Sequence, residues 1–191
     1  MAETVNTNDL RRGMIVDLPE GLFQVIEFQH HKPGKGQAVV RTKVRNVRTG
    51  AVLDRTFNSD TKVNIARLDR REMQYLYREG DSFVFMDNET YDQSGLESKQ
   101  LGDDVERFLV EGLTAIVAFH DGSPITIELP TTVDVRVTKT DPGLRGDRQS
   151  AGTKPATVET GTSVQVPLFV NEGDVVRVDT RTGEYVTRVQ S

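Results

Sequence analysis

Cysteine is missing from all 191 residues, which excludes disulfides, a thiol nucleophile and zinc knuckles together. Long apolar runs are missing as well; none approaches the roughly 20 residues a membrane-spanning helix needs. The opening "MAETVNTNDL" has neither a basic leader nor an apolar core, so nothing in it directs export. The expectation is a cytoplasmic protein without a membrane partner. Aromatic residues make up only 6%, and none falls between Phe28 and Phe57. Proteins that bind single strands without sequence preference stack bases on aromatic rings, so this gap weakens the reading of a generic single-stranded RNA- or DNA-binding protein.

Catalytic patterns are equally thin. Gly34-Lys35-Gly36 lacks the upstream glycine spacing and the following Ser or Thr of a nucleotide phosphate cradle. Serine, histidine and aspartate occur without a nucleophile elbow. His30 and His31 adjoin each other on an expected strand, so they point to opposite faces and make a poor metal site; His120 is far away in sequence. The reading is a non-catalytic protein with no metal and no cofactor.

What is present is segregated charge. The formal net charge is -5, yet residues 1–65 carry 10 Lys and Arg against 7 Asp and Glu, a net of +3. Residues 66–130 carry 6 against 14, a net of -8, and residues 131–191 carry 8 against 8. No carboxylate falls between Glu27 and Asp54, whereas Lys32, Lys35, Arg41, Lys43, Arg45 and Arg48 all do. That pattern fits a surface that meets phosphates, and it equally fits solvated strand faces. The acidic middle third is expected to face away from a polyanion or to meet a basic protein.

Short alternating or apolar runs dominate the chain: "MIVDL", "LFQVIEF", "AVVRTKVRNV", "AVLDRTF", "SFVFMD", "TAIVAFH", "ITIEL", "TVDVRVT", "SVQVPLFV", "DVVRVDT" and "EYVTRV". Their period of two and their Gly, Pro, Asp and Asn punctuation predict strands. Only "DDVERFLVEG" (residues 103–112) predicts a helix, with Val105, Phe108 and Leu109 on one face. So many short strands with a single helix predict an all-β chain of small barrels in series. Boundaries are placed where the charge balance changes, giving domains over residues 1–65, 66–130 and 131–191. Between the second and third of these strands, "HKPGKGQA" carries Pro33, Gly34 and Gly36 and reads as a hairpin tip. Taken alone, it also fits an ordinary exposed turn with a solubilising lysine.

Five segments in order carry a resemblance. "KPGKGQA" (residues 32–38), "NVRTGAVLDRTFNS" (46–59), "YLYREGDSFVFMDNETYDQ" (75–93), "KPATVETGTSVQVPLFVNEG" (154–173) and "VDTRTGEYVTRV" (178–189) resemble the landmarks of the bacterial elongation factor P family. The resemblance runs from Asn8 to the C-terminus. It implies an L-shaped protein of three small β-barrel domains, an N-terminal KOW-type barrel followed by two OB-fold domains. It implies a monomeric translation factor that binds the 70S ribosome beside the peptidyl-tRNA, touches ribosomal RNA and relieves stalls at consecutive prolines.

The resemblance also implies roles for residues. Lys35 matches the family's modified lysine at the hairpin tip, flanked by Lys32, Pro33, Gly34 and Gly36. A β-lysyl group, added by a lysine-modifying enzyme, is the expected modification. Arg41, Lys43 and Arg45 are RNA-contact candidates from the basic stretch. Tyr185 and Arg188 match positions near the anticodon stem of the peptidyl-tRNA. In the loop where the family usually has Gly-Asp-Thr, this chain has Gly146, Asp147 and Arg148, and the arginine offers a phosphate contact in place of the usual threonine.

Overall fold

The computed structural model describes residues 3–32, 34, 36, 38–142 and 152–189. The described residues form three sheets that follow one another along the chain, so the expected all-β series is what the chain adopts.

The first sheet holds β1 (Glu3–Asn6), β2 (Ile15–Leu18), β3 (Gly21–His31), β4 (Val39–Asn46), β5 (Val52–Asn58) and β6 (Lys62–Ile65). Their spatial order is β1-β6-β2-β3-β4-β5. Alternation explains its core. Val40, Thr42 and Val44 point inward from β4 while Arg41 is exposed, as a period of two requires. Leu10, Val16, Phe23, Val25, Val44 and Val63 pack together inside.

The second sheet contains β7 (Asp69–Glu79), β8 (Ser82–Asp87), β9 (Gln93–Glu97), β10 (Thr114–His120) and β11 (Ser123–Glu128), in the order β11-β10-β7-β8-β9. Tyr75 lies 5.9 Å from Phe83 and 5.4 Å from Phe85, centroid to centroid, both tilted. The third sheet has β12 (Thr132–Thr140), β13 (Thr153–Val158), β14 (Ser163–Pro167), β15 (Val175–Asp179) and β16 (Tyr185–Val189), in the order β14-β13-β12-β15-β16. Its interior is mostly valine, a β-branched residue that suits a pleated, half-covered surface.

Packing divides the chain into two compact units, residues 1–70 with 118–126 and residues 71–117 with 127–191. In the first unit, the tip of the β10–β11 hairpin turns at Asp121 (φ 48) and Gly122 (φ 76), the Asp-Gly pair of a two-residue hairpin loop. Just beyond it, Ile125 packs with Ile15 and Val47. In the second unit, Phe108 is buried among the valines of the third sheet.

The helix expected over residues 103–112 is shorter and differently placed. Two four-residue helices, α1 (Ser98–Leu101) and α2 (Asp103–Glu106), meet at Gly102. After α2 the chain tightens into three-residue steps, Phe108 N–H donating to the Val105 carbonyl (3.2 Å) and Leu109 N–H to that of Glu106 (3.4 Å). Phe108 therefore leaves the helical face it was expected to share with Val105 and enters the third core. The "SVQVPLFV" strand likewise ends at Pro167, leaving Phe169 57% exposed.

Candidate functional site: a basic arm on the first sheet

β3 is 11 residues long, and β2 covers it only from Gly21 to Gln24. Beyond a register shift between Val25 and Glu27, the strand continues against β4 as far as His31, which faces Val39. Residues 27–31 are all exposed. At about 3.3 Å per residue this outer half extends about 16 Å. β5 lines the other side of β4 over the whole distance, from Arg45–Val52 to Val39–Asn58, so beyond the reach of β2 the arm is a three-strand ribbon to its end.

The residues at the end of the arm are partly within view. Lys32, Gly34 and Gly36 are exposed. Gly36 has φ 123, a backbone state that disfavours any side chain, so glycine is the residue that fits there. Pro33 and Lys35 lie outside the described residues, as do Gly146, Asp147 and Arg148.

Arg41, Lys43 and Arg45 share the face of β4 opposite the core. Strand pairing changes their electrostatics from what the linear sequence suggests. Glu27 and Asp54, the two carboxylates that bound the basic stretch, are the register partners of Lys43 on either side. Lys43 Nζ stands 3.7 Å from Glu27 Oε2. Both side chains are well exposed, so solvent screens the pair and an incoming phosphate can displace it at little cost. Arg41 instead faces the neutral Gln29 and Thr56, and Arg45 faces Gln24 and Val52. Unlike Lys43, Arg41 therefore has no carboxylate as a register partner on either side.

Sequence reading did not single out one feature of the arm. Phe28 and His30 stack edge to face, 5.9 Å between centroids, because residues two apart on a strand share a side. His31 is exposed on the opposite side. Among the described residues, no group of three or more His, Cys, Asp or Glu is arranged to hold a metal ion.

Tyr185 and Arg188 lie on β16 of the third sheet. Tyr185 packs along the edge of the valine core. Arg188 Nη1 is 3.6 Å from Asp174 Oδ2, and its guanidinium sits 5.3 Å from the centre of the Phe169 ring. That stacking restrains the arginine while leaving its outer edge available. The turn that delivers β16 is fixed by Asp179, which accepts from Arg181 N–H (2.8 Å) and Thr182 N–H (3.4 Å) and pairs with Arg181 Nη2 at 2.9 Å.

The Arg181 side chain, with the backbone N–H groups, pushes the Asp179 carboxyl down to about 2. A depressed folded-state value means that this carboxylate stabilises the fold above the ordinary range near 4, and that the contribution fades as pH falls toward 2. Asp179→Asn should therefore lower the melting temperature at pH 7 and make a much smaller difference near pH 2, where the carboxylate is being protonated. Thermal melts of both proteins across that range check this; equal losses at both ends would contradict the role of the charge.

Comparison with known proteins places these features in a family. Residues 6–63 match the elongation factor P KOW-like domain, residues 68–127 its OB domain, and residues 133–188 its C-terminal domain. The chain is 57% identical over 185 residues to elongation factor P of Acidothermus cellulolyticus, covering 97% of this chain and 98% of that one. It is 54% identical over 186 residues to elongation factor P of Mycobacterium avium, covering 97% and 99%. Among solved structures it is similar to eukaryotic translation initiation factor 5A from Methanococcus jannaschii, with a TM-score of 0.47 and 24% identity over 64% of this chain and 90% of that one.

Proposed function

The chain belongs to the elongation factor P family of translation factors, and on that premise we propose that it binds the 70S ribosome beside the peptidyl-tRNA and speeds peptide-bond formation at consecutive prolines. The observation that carries this reading is the identity to elongation factor P relatives along 97% of the chain. The arm supports it. A ribbon of about 16 Å with arginines on one face suits a crevice walled by RNA, and glycines on both sides of Lys35 leave no neighbouring side chain to obstruct its entry.

The chemistry asked of the protein is positioning. Proline is a constrained and poor nucleophile, so the donor end of the peptidyl-tRNA must be held in reactive geometry for long enough to be attacked. Orientation alone recovers rate without an acid or base from the factor; the ribosome performs the reaction. In this reading Lys35 contacts the tRNA end, Arg41 and Arg45 meet phosphates of RNA, and Tyr185 and Arg188 engage the RNA farther along the tRNA. Gly146, Asp147 and Arg148 contribute a further contact. Lys35 carries a β-lysyl group placed by a lysine-modifying enzyme, and the factor acts as a monomer. A mass spectrum of the Lys35 peptide from native-source protein tests the modification.

The function is tested in a reconstituted translation reaction. Tripeptide formation at Pro-Pro-Pro should rise on adding the protein, whereas a proline-free template should be indifferent to it. The protein should co-sediment with 70S ribosomes that hold peptidyl-tRNA and bind free single strands weakly. Equal rates on the proline template with and without the protein would overturn the proposal.

A further inference from the structure

At the far end of the arm, where Asn58 lies opposite Val39, one carbonyl gathers three donors. The Asn58 carbonyl closes β5 and accepts from Thr7 Oγ1 (2.8 Å), Thr61 Oγ1 (2.6 Å) and Thr61 N–H (3.4 Å). Thr7 is fully buried, at 0% exposure. It lies in the three-residue 3-10 turn that follows β1, and its own N–H donates to the Thr61 carbonyl at 2.8 Å. Next to it, Asn8 Nδ2 donates to Asp60 Oδ1 at 2.6 Å. Asp60 holds φ at 63, a left-handed state that a non-glycine residue adopts at some cost unless its surroundings fix it. The turn between β5 and β6 is thus clasped from outside by the N-terminal segment.

That turn in turn touches the arm. Ser59 N–H donates to the Ala38 carbonyl at 2.9 Å, one residue before β4 begins. A hydroxyl buried without a partner costs more than the single bond it forms, so the Thr7 contact is held whenever the first sheet is folded. The chain of bonds from Thr7 to Asn58, through the turn, and from Ser59 to Ala38 fixes where β4 starts and hence where the loop over residues 32–38 ends.

We infer that Thr7 and the Asn8–Asp60 clasp are positioning elements for the arm's end loop, acting through the Ser59–Ala38 bond and without touching RNA. The inference rests on the functional reading above for its consequence in translation, and on geometry alone for its mechanical part. The first core is built from Leu10, Val16, Phe23, Val25, Val44 and Val63, and none of these side chains takes part in the clasp. What loosens when the clasp is lost is the return strand beneath the loop. Misplacing a positioned group by a fraction of a bond length lowers the rate of an oriented reaction without lowering the affinity of the rest of the surface.

Two measurements test this on the full-length protein. Thr7→Val removes the hydroxyl and keeps the shape, Thr7→Ser keeps the hydroxyl, and Asn8→Ala opens the half-exposed part of the clasp without creating a core cavity. Hydrogen exchange at the Ser59 amide should quicken about fivefold in Thr7→Val and Asn8→Ala, the change expected for losing one hydrogen bond, and should return to the starting value in Thr7→Ser. At Pro-Pro-Pro, the rate at saturating factor should fall in the first two variants while the half-saturating concentration stays the same. Unchanged Ser59 exchange in both Thr7→Val and Asn8→Ala overturns the mechanical part. Faster exchange with an undiminished proline rate overturns the positioning role. If the unsubstituted protein itself gives no proline stimulation, the functional reading fails with the positioning role that rests on it, and the exchange data still decide the clasp.

Discussion

Phe108→Ala is expected to destabilise the protein by about 3–5 kcal/mol, the range for emptying a buried aromatic site. Phe108 is 1% exposed and belongs to the buried cluster that holds Val135, Val166, Val176 and Val178, with the Arg107 guanidinium 5.3 Å from the centre of its ring. Valines stiff at χ1 cannot swing inward to fill the space a phenyl ring leaves. The backbone is equally constrained, because Thr160 Oγ1 (2.6 Å) and Thr162 Oγ1 (3.0 Å) both donate to the Arg107 carbonyl. On the far side, Gly183 holds φ at 76, and a Cβ there would approach Arg107 Nη2 tightly, at 3.1 Å, and Phe108 Cζ at 3.6 Å.

A loss of that size is a large part of the 5–15 kcal/mol by which a domain is commonly stable. For a chain of this length it corresponds to a melting temperature lower by about 10 °C. Thermal denaturation followed by far-ultraviolet circular dichroism measures it, with Phe108→Leu as the milder control. A shift of 2 °C or less in Phe108→Ala would mean that the segment after α2 is not seated in the valine core.

Phe108 also marks where sequence reading stopped. The alternation in "TVDVRVT" and "DVVRVDT" made the third sheet legible, since each inward position is valine and the neighbours, Val175 apart, are polar. The apolar spacing of Val105, Phe108 and Leu109 was equally visible, but periodicity reports that residues share a side and says nothing of which core receives them. Strands with weak local signals were missed for the same reason. β13 begins "TKP", and Lys154 is buried with its Nζ donating to the Asp141 carbonyl at 2.6 Å. β7 opens with "DRRE", four charged residues in a row. Such segments become strands because a neighbour pairs with them, and tertiary pairing outweighs intrinsic preference.

The candidate site divides along the same line. Pro33, Gly34 and Gly36 announced a turn by their backbone preferences, and the adjoining runs announced the arm. The compensation of Lys43 was invisible, because Glu27 and Asp54 are remote in sequence and adjacent only through the register of β3, β4 and β5. The clasp at Thr7 was invisible too, since nothing local distinguishes a buried threonine from an exposed one.

Lys35→Ala is expected to abolish most of the gain at proline runs, a loss on the order of tenfold to a hundredfold in rate if the lysine positions the reacting end. The fold should survive. The first core is assembled from Leu10, Val16, Phe23, Val25, Val44 and Val63, and strand pairing closes at His31 and Val39, before the substituted position. Ribosome affinity should change little, because Arg41 and Arg45 remain on their face of β4. Lys35→Arg separates charge from chemistry: it keeps the cation, blocks a lysine-specific modification and presents a broader planar group, so its rescue should be partial. Each variant is assayed at saturating concentration on Pro-Pro-Pro and on a proline-free template. If Lys35→Ala matches the starting protein on the proline template, the arm acts as a scaffold and its end residue is not the functional one. If Lys35→Arg restores the full rate, a cation alone is sufficient and the modification has no part in the rate.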